Sequence, residues 1–210
     1  MKIKGKTVGV ATTIIIALLI LSVSILKSAS VKYAYSPMVL SEKVDSEKVD
    51  SKAVHGSIDY LLAYPGKIHP DNPLWYLKVV RDKMWYILTF NQDKKAELNL
   101  LFADKRLNSA RELFNKLKPD LGFSTLTKSS KYLEKAIPKD TDDAVYLNKL
   151  ATASLKHREV IENEILPIAP EDLRPKVIIM SNYSKETYKK VRDLMLSKGL
   201  VPPEDTFDVK

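Results

Sequence analysis

Residues 92–118 read QDKKAELNLLFADKRLNSARELFNKLK, and their spacing decides the fold class. Ala96, Leu100, Ala103, Leu107, Ala110, Phe114 and Leu117 recur four and three residues apart without a miss, and Leu101 and Leu113 widen the same stripe. Side chains at those intervals share one face of an α-helix. The run therefore predicts a helix over 92–118 with a heptad-like seam suited to antiparallel packing in a bundle. Asn91 is placed to cap its start, and Pro119 to stop it. At ~1.5 Å per residue the helix is ~40 Å long.

The flanking segments read as helices too. Upstream, residues 64–73 hold Pro65, Gly66, Pro70 and Pro73, which exclude regular structure. That segment ends on a helix-start signal, with Asn72 as N-cap and Pro73 at the first helical position. A helix is predicted from Pro73 to Phe90. Its inner face is drawn by Leu77, Val80, Met84 and Ile87, with Leu74, Trp75 and Leu88 beside them. Downstream, a shorter helix is expected over 124–136, ended by Pro138. A long one follows, capped by Asp140 or Thr141 and reaching Ile165. Leu147, Ala151, Ser154, Ile161 and Ile165 form its stripe, beside Leu150, His157 and Val160. Pro167 and Pro170 separate it from a last helix, capped by Asp172 and lined by Ile178, Ser181, Tyr188, Val191 and Met195. Gly199 is its C-terminal stop. Asp142-Asp143 and Glu171-Asp172 sit at helix starts, where the helix dipole favours acids. The expected fold class is all-α, a bundle of about four to five helices.

The bundle is expected to stand behind a single N-terminal transmembrane helix. Lys2, Lys4 and Lys6 precede an uncharged run from Val8 to Leu26, which Lys27 ends. Crossing a bilayer takes about 20 apolar residues, whereas the core of a cleaved signal peptide has about 7–15. Residues 1–30 thus read as a cytoplasmic stub and transmembrane anchor, with cleavage after Ser30 as the alternative. The positive-inside rule leaves the lysines in the cytoplasm and the rest outside the cell membrane. Cleavage would make the domain secreted. Residues 31–64 read as a flexible linker. It carries Ser-Glu-Lys-Val-Asp at 41–45 and 46–50, then Ser-Lys-Ala-Val-His at 51–55. A period of five fits neither a helix face nor a strand face. Ile58–Ala63 is expected to add a helical turn or two. Residues 65–199 form the helical domain, and 200–210 a loose tail.

Composition narrows the function. The chain of 210 residues carries a net charge of +8, and the four lysines up to Lys27 account for half of it. The +4 left for residues 28–210 shows no cluster of Lys and Arg interleaved with aromatics, so no nucleic-acid partner is expected. The absence of cysteine excludes disulfides, thiolate zinc sites and thiol nucleophiles. His55, His69 and His157 have no helical metal-ligand spacing. Neither a nucleophile elbow nor a glycine-rich phosphate loop occurs, so neither enzyme activity nor a cofactor is expected. Glu159, Glu162 and Glu164 read as a solvated helix surface.

Two features remain as candidate sites. Trp75, Tyr76, Trp85 and Tyr86 load one helix with aromatics. The pairs are about 1000° of helical rotation apart, some 80° from a common face, so not every ring joins one stripe. They cover either a wide core face or an exposed patch that docks a partner or rests on the membrane interface. His157, on the apolar side of its helix, is either a hydrogen-bonded core-edge residue or a pH-sensitive one.

The stretch Pro70-Asp71-Asn72-Pro73-Leu74-Trp75-Tyr76-Leu77-Lys78, then Leu88-Thr89-Phe90, Lys95-Ala96-Glu97-Leu98 and Ala103-Asp104-Lys105-Arg106-Leu107, resembles domain-of-unknown-function family 5667. The likeness covers residues 65–115 well and runs loosely on to the last helix. Trp75 stands where Tyr or Phe is usual, Asn91-Gln92 replaces an Asp-Pro cap, and Ser109 replaces a frequent Glu. The resemblance implies a bacterial extracytoplasmic helical domain behind a signal or anchor helix, and brings no catalytic residue. The function expected is binding, with a protein partner or a second copy docked on Trp75, Tyr76, Trp85 and Tyr86. The alternative is an envelope stress or pH sensor acting through a membrane partner.

Overall fold

A computed structural model describes residues 58–207. The anchor or signal segment, the repeat at 41–55 and His55 lie outside the described residues. Among the described residues there are five α-helices and no strand: α1 (Trp75–Leu88), α2 (Gln92–Asn115), α3 (Pro119–Lys135), α4 (Ala144–Val160) and α5 (Arg174–Ser197). A π-helical turn, Ile161–Ile165, and a 3₁₀ turn, Leu166–Ile168, prolong α4. The fold is an all-α bundle. No helix among the described residues is long and apolar enough to cross a membrane.

The 92–118 run organises the bundle as its central helix. Ala96, Leu100, Ala103, Leu107, Ala110, Phe114 and Leu113 are buried, and so are Leu98 and Phe102 off the stripe. Helices α3, α4 and the π-helical turn all pack against α2. One core cluster gathers Leu100, Ala103, Leu133, Leu147, Leu150, Tyr188 and Val191. A second gathers Leu107, Phe114, Leu126, Ile161, Ile165 and Val177. The inner faces expected of the last two long helices hold, except that Ile178 is exposed and Val177 is buried in its place.

Several boundaries differ from the sequence expectation for local reasons. Asn91 caps α2 as expected, its side chain accepting from the Lys94 N–H at 3.0 Å. The helix then ends at Asn115, short of Pro119. The Lys118 N–H reaches back to the Leu113 carbonyl (2.9 Å) and the Leu117 N–H to the Phe114 carbonyl (3.0 Å). This is a Schellman stop, with Leu117 in the left-handed region at φ 56°. Leu117 therefore leaves the seam and is exposed. Pro119 opens α3, five residues before the expected start, because a first-turn residue needs no N–H partner. Asp143, rather than Asp140 or Thr141, caps α4 by accepting from the Tyr146 N–H at 3.0 Å. No side chain caps α5, so Asp172 does not act as expected. Asn72 accepts from the Leu74 N–H (2.9 Å) in a turn before α1, which begins at Trp75.

Both flanks of the bundle are docked rather than loose. Residues 58–63 form no helical turn. They run as a strap over the bundle: Ile58 enters the core, and its N–H donates to Glu159 Oε2 at 3.2 Å. At the other end, Gly199 (φ 70°) completes a second Schellman stop, with Leu200 N–H on the Met195 carbonyl. The segment expected as a tail then folds back. Tyr188 donates its hydroxyl proton to the Pro203 carbonyl at 2.6 Å, and the Arg158 guanidinium lies 4.2 Å from the Phe207 ring centre.

Candidate functional site: the two faces of helix α1

Helix α1 is docked the opposite way round from the expected one. Leu77, Val80 and Ile87, drawn as its inner stripe, are 68%, 56% and 61% exposed, and Leu74, Tyr76, Leu88 and Phe90 are exposed with them. The one buried residue of α1 is Asp82. The polar side wins because it finds compensated partners. Lys78 Nζ donates to the carbonyls of Pro65 and Ile68 in the proline-rich lead. Asp82 accepts from Arg81 at 2.7 Å, and its charge is felt at Lys78, Lys105 and Arg106. A buried carboxylate among cations avoids the cost of an isolated charge. Trp85 adds an edge-to-face contact with Phe102, ring centres 6.4 Å apart.

Between α1, α2 and α3 lies a cleft made of two adjoining cavities, about 330 and 220 Å³. Val79, Arg106, Tyr132 and Lys135 line both. The outer one adds Pro70, Trp75, Thr125, Lys128 and Lys131, and the inner one Asp82, Lys83, Tyr86, Asn99 and Phe102. Arg106 is buried with its guanidinium over Tyr132, 4.5 Å from the ring centre, and its Nε has no hydrogen-bond partner. Burial pushes the pKa of Arg106 and of Lys105 below its ordinary range. Burial likewise brings Lys78, beside the lead, down to about 8. Asn99 donates to the Lys135 carbonyl at 3.0 Å, while its buried Oδ1 is left unpaired. The cleft therefore presents a surplus of cations, four rings and unsatisfied polar atoms.

The structure separates the four aromatics. Trp75 and Tyr86 line the cleft, Trp85 is packed on Phe102, and Tyr76 alone is largely exposed, on the outer face. His157 lies elsewhere and is 1% exposed. Its Nε2 sits 2.9 Å from Asp104 Oδ1, whose other oxygen accepts from the Tyr60 hydroxyl at 2.8 Å. Asn108 Nδ2 donates to the Ala63 carbonyl nearby. This closed polar network ties the strap to α2 and α4 and offers a substrate no access. The three glutamates are not simply a solvated face. Glu159 holds Ile58 and Lys156, Glu162 accepts from Arg158 and Ser181, and the exposed Glu164 pairs with Arg111. No cluster of three or more metal-ligating side chains occurs among the described residues. Arg106, Tyr132 and the three lysines of α3 escaped sequence reading. Lys128, Lys131 and Lys135 fall three and four apart, the spacing of one helix face, which was the available signal.

Residues 67–171, half of the chain, match the family model Domain of unknown function (DUF5667). The matched span runs from the proline-rich lead through α1 and the cleft and ends just before the last helix. No curated protein and no solved structure matches the chain. The chain belongs to the DUF5667 family.

Proposed function

We propose that this DUF5667 protein is a membrane-anchored, extracytoplasmic binding domain that docks a protein partner, or a second copy of itself, on the outer face of α1. The exposed stripe of Leu77, Val80 and Ile87 carries the reading. Apolar surface left in water forgoes about 25 cal/mol for every Å² that could be covered. Contiguous exposed patches of this kind mark interaction sites. Tyr76 and Phe90 stand exposed near the two ends of the stripe, as suits an anchor-rich interface. The membrane attachment is supported by the lysines at 2, 4 and 6 and the uncharged run Val8–Leu26.

Crosslinking of a C-terminally tagged full-length chain in intact cells tests the docking face. Leu77→Glu with Ile87→Glu is expected to abolish the crosslinked species while leaving the protein folded. An unchanged crosslink pattern would remove α1 from the interface. Membrane fractionation and the N-terminal sequence of the mature chain separately test the anchor.

A second reading, a pH or envelope stress sensor acting through a membrane partner, draws on one observation. His157 and Asp104 hold the strap that leads back toward the N-terminal segment. From the strap, the Tyr60 hydroxyl and the Ala63 N–H donate to Asp104, and the Ile58 N–H donates to Glu159, which pairs with Lys156 on α4. Amide exchange over 58–63 that stays the same from about pH 5 to 8, the range in which histidine acts as a switch, would end this reading.

A further inference from the structure

We propose that the cleft between α1, α2 and α3 binds an organic phosphate, with Arg106 and the α3 lysines on the phosphoryl group and Trp75 and Tyr132 against its organic part. Lys128, Lys131 and Lys135, on one face of α3, line a cavity that no acid lines. Asp82, the one acid of the adjoining cavity, is already paired with Arg81. Four cations facing one space without an anion repel one another, and a multiply charged oxyanion relieves that. Arg106 strengthens the case, because it is more than nine-tenths buried and its Nε lacks a partner. Guanidinium groups suit phosphate and carboxylate geometry. Phosphate is favoured over carboxylate because its two charges and extra oxygens can use a guanidinium and several ammonium groups together.

The dimensions agree. Cavities of about 330 and 220 Å³ fit a phosphate ester with a small polyol or ring. Trp75 and Tyr132 both line the outer cavity and supply its aromatic surface. The ligand could reach the cleft as a soluble ester or as the headgroup of a phospholipid, and the phosphoryl chemistry is the same. The site lies under α1, on the side away from the Leu77 stripe, so it stands whether or not the outer face docks a protein.

The chain has two tryptophans, so a Trp85→Phe background leaves Trp75 as the reporter inside the cleft. The full-length chain in uncharged detergent is titrated with glycerol 1-phosphate, and with glycerol as the control. A saturable change in Trp75 emission with the phosphate alone is expected. It should weaken with salt and fall about tenfold or more in affinity in Lys128→Glu/Lys131→Glu. Both lysines are exposed, so their reversal leaves the core untouched. A second arm reconstitutes the same chain in phosphatidylcholine vesicles with or without phosphatidylglycerol. A Trp75 response only there, lost in the charge-reversed variant, assigns the site to a lipid headgroup. No response in either arm, or an equal response from the charge-reversed variant, overturns the proposal.

Discussion

His157 Nε2 lies 2.9 Å from Asp104 Oδ1, both side chains are almost wholly buried, and the second oxygen of Asp104 holds the Tyr60 hydroxyl. One carboxylate thus joins α2, α4 and the strap. Removing it leaves a buried imidazole and a tyrosine without their acceptor. Asp104→Ala is expected to lower stability by about 1–3 kcal/mol, the cost of leaving buried donors unpaired, and Tyr60→Phe by about 1 kcal/mol. Urea unfolding of the two single variants and the double should give a clearly non-additive total. Additive losses would mean that the network is not one unit.

The outer face of α1 reverses the usual expectation for an apolar stripe. Leu77→Glu and Ile87→Glu should each change stability by no more than about 0.5 kcal/mol, as at surface sites. Asp82→Ala, a change at a polar residue, should cost several times more, because Arg81, Lys78 and Arg106 lose their anion. Thermal unfolding of the three variants decides it. A large loss from Leu77→Glu would mean that this face is covered within the chain.

Leu117 carries an avoidable strain. Its φ of 56° puts a branched side chain in the left-handed region, and that side chain is exposed. A non-glycine residue costs about 1–2 kcal/mol there. Leu117→Gly is expected to raise stability by about 1 kcal/mol, read as a higher urea midpoint at constant slope.

Gly122 predicts the opposite sign. A Cβ at this buried helical position would lie 2.9 Å from Phe114 Cδ2. Alanine normally favours a helix over glycine by about 1 kcal/mol. Here the Phe114 ring would have to move within a packed core, and Gly122→Ala should instead destabilise by about 1–3 kcal/mol.

Lys78 gives the fold an alkaline signature. Burial lowers its pKa to about 8 from 10.5, so between those values the unfolded chain binds more protons than the folded one. Stability therefore rises with pH through that window, and the buried Lys105 adds to the same trend. Lys78→Met should flatten the rise. Urea unfolding of both chains from about pH 7 to 10 reads the difference.

The helices on the core were legible because their apolar spacing is regular. The stripe of α2 and the buried Leu147, Ala151, Ile161 and Ile165 follow directly from intervals of three and four. Helix α1 shows where that logic fails. Its apolar stripe is equally regular, yet Lys78 finds carbonyls in the proline-rich lead and Asp82 a counter-charge on Arg81, and no hydrophobic interval reports such pairing. The cleft was half visible. Trp75 and Tyr86 stood out as aromatics, whereas Arg106 and Tyr132 meet only because α2 and α3 pack side by side. The strap was missed because Asp104, Asn108 and Glu159, which hold it, look like ordinary helix-surface residues.

The strap and the returning C-terminal segment finish on neighbouring residues of α4. Glu159 receives the N–H of Ile58, and Arg158 receives the ring of Phe207. Tension between the two ends of the domain would be borne first by these two side chains. The helices would be bypassed, much as a clasp spares a necklace. A circular permutant that joins 207 to 58 by a short linker and opens between α3 and α4 should therefore keep the bundle intact.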